Sequence, residues 1–238
     1  MKKLIAAVLL CASLVICALI LVRPNIILRN AGGISVKGYA VERVQSDAAS
    51  WNASISAIEK SEAAAYAKVK KSASAAKEFL LKNGAKEDKL IFSAITVTPN
   101  FKLSNGTRTN DIENYHASVS ISYCDTDVDA VVKIADTAPE LIDQGVSIFS
   151  PAPEYYYTKL EDLKISLIER AAANAKLRAQ RLTSGTNSNL GKILSASQGI
   201  FQITRPLSNE TSDWGIYDTS SREKDVRCVV TIEFAIDK

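Results

Sequence analysis

The chain has one histidine, His116, in 238 residues, and only two cysteines, Cys124 and Cys228, beyond residue 23. That scarcity excludes most metal chemistry, because a zinc site draws three or four ligands from clustered His and Cys. Hydrolytic chemistry is equally poorly supplied. His116 shares a strand face with Ser118 and Ser120, but no G-x-S-x-G elbow provides an oxyanion hole, so a surface strand histidine is the plainer reading. Asn189-Leu190-Gly191-Lys192 lacks the upstream glycine and the following Ser/Thr of a phosphate loop. Asp125, Asp127 and Asp129 alternate as in a calcium loop but lack its sixth-place glycine and twelfth-place glutamate. Helix capping is their expected role. No catalytic residue, metal or cofactor is expected, and the chain reads as a non-enzyme.

An excess of one charge is also missing. The formal net charge of +3 is accounted for by Lys2, Lys3 and Arg23, leaving 26 charges of each sign in residues 24–238. A nucleic-acid partner would require a basic footprint, and none is expected.

One long apolar run is present. Leu4–Val22 is 19 residues without a charge, behind Lys2-Lys3 and ahead of Arg23-Pro24. At 1.5 Å per residue it is long enough for a hydrocarbon core of about 30 Å. The lysines mark the cytoplasmic side, so the expected arrangement is a single-pass inner-membrane protein with its N-terminus inside and its domain periplasmic. A cleaved signal giving a periplasmic or secreted domain is the alternative, although Ile16 and Ala18 make a poor small-x-small site. The expected organisation is an anchor or signal at 1–23, a linker at 24–33, and an α+β domain at 34–238 with a long loop at 204–225.

Alternation predicts strands at Ile34–Ala40, Ala49–Ile58, Tyr115–Cys124 and Val226–Ile236. Leu90–Thr98 reads as a strand stopped by Pro99, and Asn100–Asn114 as an exposed loop turning at Asn105-Gly106. Val146–Ser150 and Lys192–Ile203 complete the strands. A helix from Ser61 to Lys82 has Ser61 as N-cap and Tyr66, Val69, Ala73, Ala76 and Leu80 as its apolar face. A second, capped by Asp125-Thr126, runs to about Thr137 before Pro139. The third opens on a capping box at Thr158 and Glu161, with Leu160, Leu163, Leu167, Ala171, Ala175, Ala179 and Leu182 on one face. Its small residues imply close approach to a neighbouring element. The order β-β-α-β-β-α-β-α-β-β predicts helices packed on a mostly antiparallel sheet. Alternation puts Cys124 on the polar set of its strand and Cys228 on the apolar set. Opposite faces disfavour a disulfide within one sheet, so two free thiols are expected, with a bridge as the alternative.

Two aromatic segments are candidates for an interaction surface. Tyr155, Tyr156 and Tyr157 follow Pro151-Ala152-Pro153-Glu154, and could form an exposed patch or pack alternate rings on the core. Trp214 and Tyr217 lie in the polar loop, where less core is available to bury them.

Several segments together resemble the SIMPL-domain family. Ile34-Ser35-Val36-Lys37-Gly38-Tyr39-Ala40 with Ser46-Asp47-Ala48 is similar to its opening I-x-V-x-G-x-G and P-D-x-A pattern, with Ala40 and Ser46 as departures. Leu90–Thr98 followed by Pro99-Asn100-Phe101, then Tyr115-His116-Ala117-Ser118, is similar to its middle hairpin. Ala171-Ala172-Ala173-Asn174-Ala175-Lys176-Leu177-Arg178-Ala179, continuing to Leu190-Gly191-Lys192-Ile193, resembles its A-x-x-x-A helix leading into L-G-x-(V/I). The resemblance implies an envelope protein, periplasmic or membrane-associated, of a family in which some members are antigens or linked to oxidative-stress tolerance and some assemble into rings. It supplies no catalytic residue. The expected function is a membrane-anchored, non-catalytic interaction or scaffold module that self-associates or binds an envelope protein. The alternative is an exported binder of a small ligand or cell-envelope polymer through the aromatic surface.

Overall fold

The computed structural model describes Cys17 and residues 32–237. The apolar run at 4–22 falls outside the described residues apart from Cys17. Among the described residues no helix is long and apolar enough to cross a membrane. Over residues 32–237 the fold is α+β with three α-helices and mostly antiparallel sheets. The described residues divide into two compact units, one of 32–42, 161–201 and 227–237, the other of 43–160 and 202–226.

In the larger unit, β2 (Ala48–Glu59) and β5 (Thr107–Asp125) pair antiparallel from Ala49↔Asp125 to Glu59↔Tyr115. The period of two sends Trp51, Ala53 and Ile55 to the same face as Ala117, Val119, Ile121 and Tyr123, and all are buried. Helices α1 (Glu62–Lys82) and α2 (Val128–Thr137) pack on these two strands. Each large apolar side chain removed from water there contributes roughly 2 kcal/mol. The Trp51 indole N–H, buried with its ring, donates to Ser150 Oγ at 3.1 Å. Ser61 caps α1 as expected, accepting from Ala64 N. On the helix itself Ala65 replaces Tyr66 on the buried face, and Tyr66 is exposed.

Three expectations in this unit are corrected. Leu90–Thr98 is two strands, β3 (Leu90–Phe92) and β4 (Thr96–Ser104). At the break Ser93 Oγ accepts from Ser120 N, a side chain standing where a strand would offer its carbonyl. Asn100–Asn114 is no loop: β4 and β5 continue as a hairpin through Pro99↔Tyr115 to Ser104↔Thr107. Asn105 and Gly106 both have positive φ, 50° and 78°, the tight turn whose twist suits a hairpin. Pro99 is tolerated because β4 pairs with β5 alone, so its missing amide lies on an edge strand. Finally, α2 is capped by Asp127, which accepts from Ala130 N at 3.1 Å, and Asp125 is buried instead.

In the smaller unit, β11 (Glu223–Asp237) stands between β1 (Gly33–Gln45) and β8 (Asn189–Gln198). The α3 helix, Leu160–Ser184, buries Leu163, Leu167, Ala171, Ala175, Ala179 and Thr183, a strict spacing of four. Leu182 falls off that face and is exposed, its expected place taken by Thr183, whose hydroxyl donates to Ala179 O. The small residues do bring α3 close: a Cβ on Gly38 of β1 would lie 2.2 Å from Ala171 O. At this range helix side chains reach the strand backbone. Arg170 donates to Val41 O, Asn174 accepts from Tyr39 N, and Arg178 donates to Lys37 O. Four helical residues rise about 6 Å and two strand residues slightly more, so the two series stay in step and occupy backbone groups of β1. At the start of α3 the capping box does not form as expected: both the Thr158 N–H and its hydroxyl donate to Asp47.

The expected strand Lys192–Ile203 also divides. β8 ends at Gln198, Gly199 N donates to Val229 O, and Gln202–Thr204 forms β9.

Candidate interaction surface

Strand β7 (Glu154–Tyr156) pairs with β2 through Ala49↔Tyr155 and Ala48↔Tyr156. The alternation therefore divides the tyrosines. Tyr155 follows Ala49 and packs against the core. Tyr156 points to the other face, where its hydroxyl donates to Glu154 Oε2 at 2.8 Å. That bond to a carboxylate, reinforced by partial burial, pushes the Tyr156 phenol up to about 12. Its ring meets Tyr217, centroids 6.4 Å apart and planes inclined by 31°. Tyr157 is half-buried.

Tyr217 belongs to β10 (Ile216–Tyr217), which pairs parallel with β9 through Tyr217↔Ile203. The segment 204–225 is thus a built loop. Gln202 grips it with both ends of its amide, donating to Ser212 O at 2.8 Å and accepting from Ser212 N at 3.3 Å. Ser212 then accepts from Trp214 N through its hydroxyl and from Gly215 N through its carbonyl. Gly215 takes φ 85° to close this turn. The result is a Trp214 ring 94% exposed on a backbone held at several points. Earlier in the loop Leu207, 88% exposed, has its N–H held by Asp225 Oδ2, and Arg43 binds both oxygens of the same carboxylate.

Two buried polar residues organise this region: sequence reasoning missed Lys224 and gave Asp125 the role of a helix cap. Lys224 is fully buried and donates to the carbonyls of Asp218 and Ser221. Burial pushes its ammonium below the usual lysine range, opposed by Asp218. The Asp218 carboxylate in turn accepts from the backbone and hydroxyls of Ser220 and Ser221. This turn also receives Tyr155 N at Thr219 O, 2.7 Å, which ties the tyrosine strand to the loop. Asp125 is the other. Lys86 and Lys89 reach it at 2.7 and 2.6 Å, and their two hydrogen bonds hold its carboxyl well below the usual range against the opposing effect of burial. Both fall on the buried parity of their strands, one step beyond the ends that alternation of apolar residues marks.

The structure thus brings Tyr156 and Tyr217 together, assigns Tyr155 to the core, and leaves Trp214 projecting. Its three alternating aspartates serve separate ends: Asp125 binds lysines, Asp127 caps α2, and Asp129 pairs with Arg222 at 2.6 Å. His116 is half-buried on β5, opposite Ile58 and Thr98. Cys124 is exposed, Cys228 is buried, and both are free. A family model described as SIMPL, a protein of unknown function (DUF541), matches residues 34–234. No curated protein matches the chain.

Proposed function

The chain belongs to the SIMPL family, and from that premise we propose that it is an exported, membrane-anchored module that works by binding other proteins, including its own copies, without catalysis. The observation carrying this reading is Trp214. An indole almost wholly in water loses the transfer energy that burial would supply, yet its loop is fixed by Gln202, Ser212 and Gly215. A pre-ordered exposed tryptophan meets a partner with little further loss of entropy, as interface anchors do. Leu4–Val22 behind Lys2-Lys3 supports anchoring with the domain periplasmic. A link to envelope or oxidative stress would run through assembly. Size-exclusion chromatography with light scattering on residues 30–238 tests the reading: assemblies are expected at micromolar concentration, shifting to smaller species by tenfold or more in Kd for Trp214→Ala. A monodisperse monomer would sink the self-association.

A second reading has its own observation. The solvent face of β2 and β5 carries Ser50, Asn52, Ser54 and Ser56 opposite Cys124, Ser122, Ser120 and Ser118, eight uncharged side chains, with Glu154 of β7 opposite Ser50 as the carboxylate at their border. Tyr156 lies on this same face of the sheet, opposite Ala48. Uncharged hydroxyls beside an aromatic ring suit a neutral, hydroxyl-rich polymer. Co-sedimentation with insoluble cell-wall glycan is then expected to fall several-fold for Ser54→Lys/Ser120→Glu, and no sedimentation of the parent chain would remove this alternative.

A further inference from the structure

The charges of the smaller unit are unevenly placed. From Arg170 to Phe201 there is no acidic residue, while Arg170, Lys176, Arg178, Arg181 and Lys192 are basic. The overall balance of charge hides this run. Two clefts flank its helical part and share Leu177 and Arg181 as their divide. One, of about 600 Å³, lies between the last turns of α3 and the start of β1 and is walled by Val36, Leu177 and Leu182 with Lys37, Arg178 and Arg181. The other, of about 480 Å³, is polar, with Gln180, Ser184, Ser188 and Asn189 beside the same arginine. Leu177 and Leu182 are each more than half exposed, and Ile193 on β8 is 58% exposed.

We propose that this face seats on a membrane surface rich in anionic phospholipid, with acyl chain in the apolar cleft and headgroup in the polar one. Apolar side chains ringed by Lys and Arg are the composition of interfacial attachment, in which buried apolar area and attraction to anionic headgroups add. Arg181 on the divide meets the phosphate at the junction of tail and head. Lys37 supplies a second charge from β1. A second copy of the chain is a poorer occupant in a twofold arrangement, since such an interface sets the patch against itself and would bring Lys37, Arg178 and Arg181 against their own copies, while neither cleft is lined by a carboxylate. The inference goes beyond anchoring, because it assigns a lipid contact to the folded domain itself.

The test uses the full chain with lipid nanodiscs, one set of phosphatidylcholine alone and one containing phosphatidylglycerol, read by hydrogen–deuterium exchange. Peptides covering 184–194 are expected to exchange several-fold more slowly on the anionic discs, and 0.5 M salt should reverse the effect by screening. In Lys37→Glu/Arg181→Glu the difference between discs should vanish while α1 and β5 keep their protection, which shows that the variant is folded. Arg178 is left intact because it bonds Lys37 O and stacks on Tyr39. Equal exchange of the parent chain on both discs would overturn the proposal, as would slowing that survives the double reversal. A chain that leaves neutral discs would count against the anchor alone. Lipid contact would then be read from retention on anionic discs, and no retention there would overturn it.

Discussion

Replacing Gly38 by alanine is expected to destabilise the chain by roughly 3 kcal/mol, the upper end for overpacking. The added methyl would lie 2.2 Å from Ala171 O, 2.5 Å from Ala175 N and 2.7 Å from Ala175 Cβ. Two of these are backbone atoms of α3, so no rotamer change relieves the contact. The helix has to move away from β1. Moving it lengthens the bonds from Arg170, Asn174 and Arg178 to Val41, Tyr39 and Lys37, which depend on the same spacing. It also widens the cleft between Lys37 and Arg181, so lipid contact should weaken along with stability. Urea midpoints for Gly38→Ala, with Gly32→Ala as control, test this directly. The control has nothing within 4 Å of its Cβ and should stay within about 0.5 kcal/mol of the parent. A Gly38→Ala midpoint equal to that of the control would show that strand and helix do not approach so closely.

That close approach is legible in the amino-acid sequence, because Ala171, Ala175 and Ala179 recur at one helical face. What they approach is not, since a glycine in a strand can mark a bulge or a bend equally well. Strand interiors are legible wherever apolar and polar residues alternate, as in Trp51–Ala57 and Tyr115–Tyr123. Strand ends are not. The outer half of the β4–β5 hairpin is solvated on both faces and carries no apolar period, so Asn105-Gly106 marks its turn but nothing marks its strands. Lys224 and Asp125 escape for a related reason: alternation is scored on apolar residues, and a buried charge at the correct parity looks like the end of the pattern. Their partners are supplied by tertiary structure. The aromatic site is half legible. Adjacent tyrosines in an extended segment must face opposite ways, which separates Tyr155 from Tyr156. Pairing of Tyr156 with Tyr217 depends on β9 and β10, whose two or three residues are too few to show a period.

Asp125→Asn is expected to lower stability by roughly 2 kcal/mol at neutral pH, and by progressively less as the solution is made acid. The carboxylate sits at the end of β5 with its side chain 1% exposed. It accepts from Lys86 and Lys89 and from Asp127 N at 3.1 Å. It therefore joins the turn after α1, the approach to β3, the end of β5 and the entry to α2. An amide keeps the shape but loses the charge, and one of its two acceptors becomes a donor facing an ammonium. Stranding two lysines in the interior would cost more than 2 kcal/mol. Here their side chains are 50% and 32% exposed, so water recovers part of the loss, and the remainder is that of charged hydrogen bonds. The sign with pH follows from the depressed folded value. In the unfolded chain an aspartate titrates near 3.9, whereas here the lysines hold it well below the usual range. Its contribution is fully present above about pH 4 and is lost as pH falls through the folded value. The gap in urea midpoint between parent and variant should accordingly be constant from pH 7 to about 5 and narrow toward pH 2. Glu87 and Asp129, also held low by Lys77 and Arg222, titrate in both proteins and cancel in the comparison. A gap that persists unchanged at pH 2 would mean that packing, and not the charge on Asp125, joins these four elements.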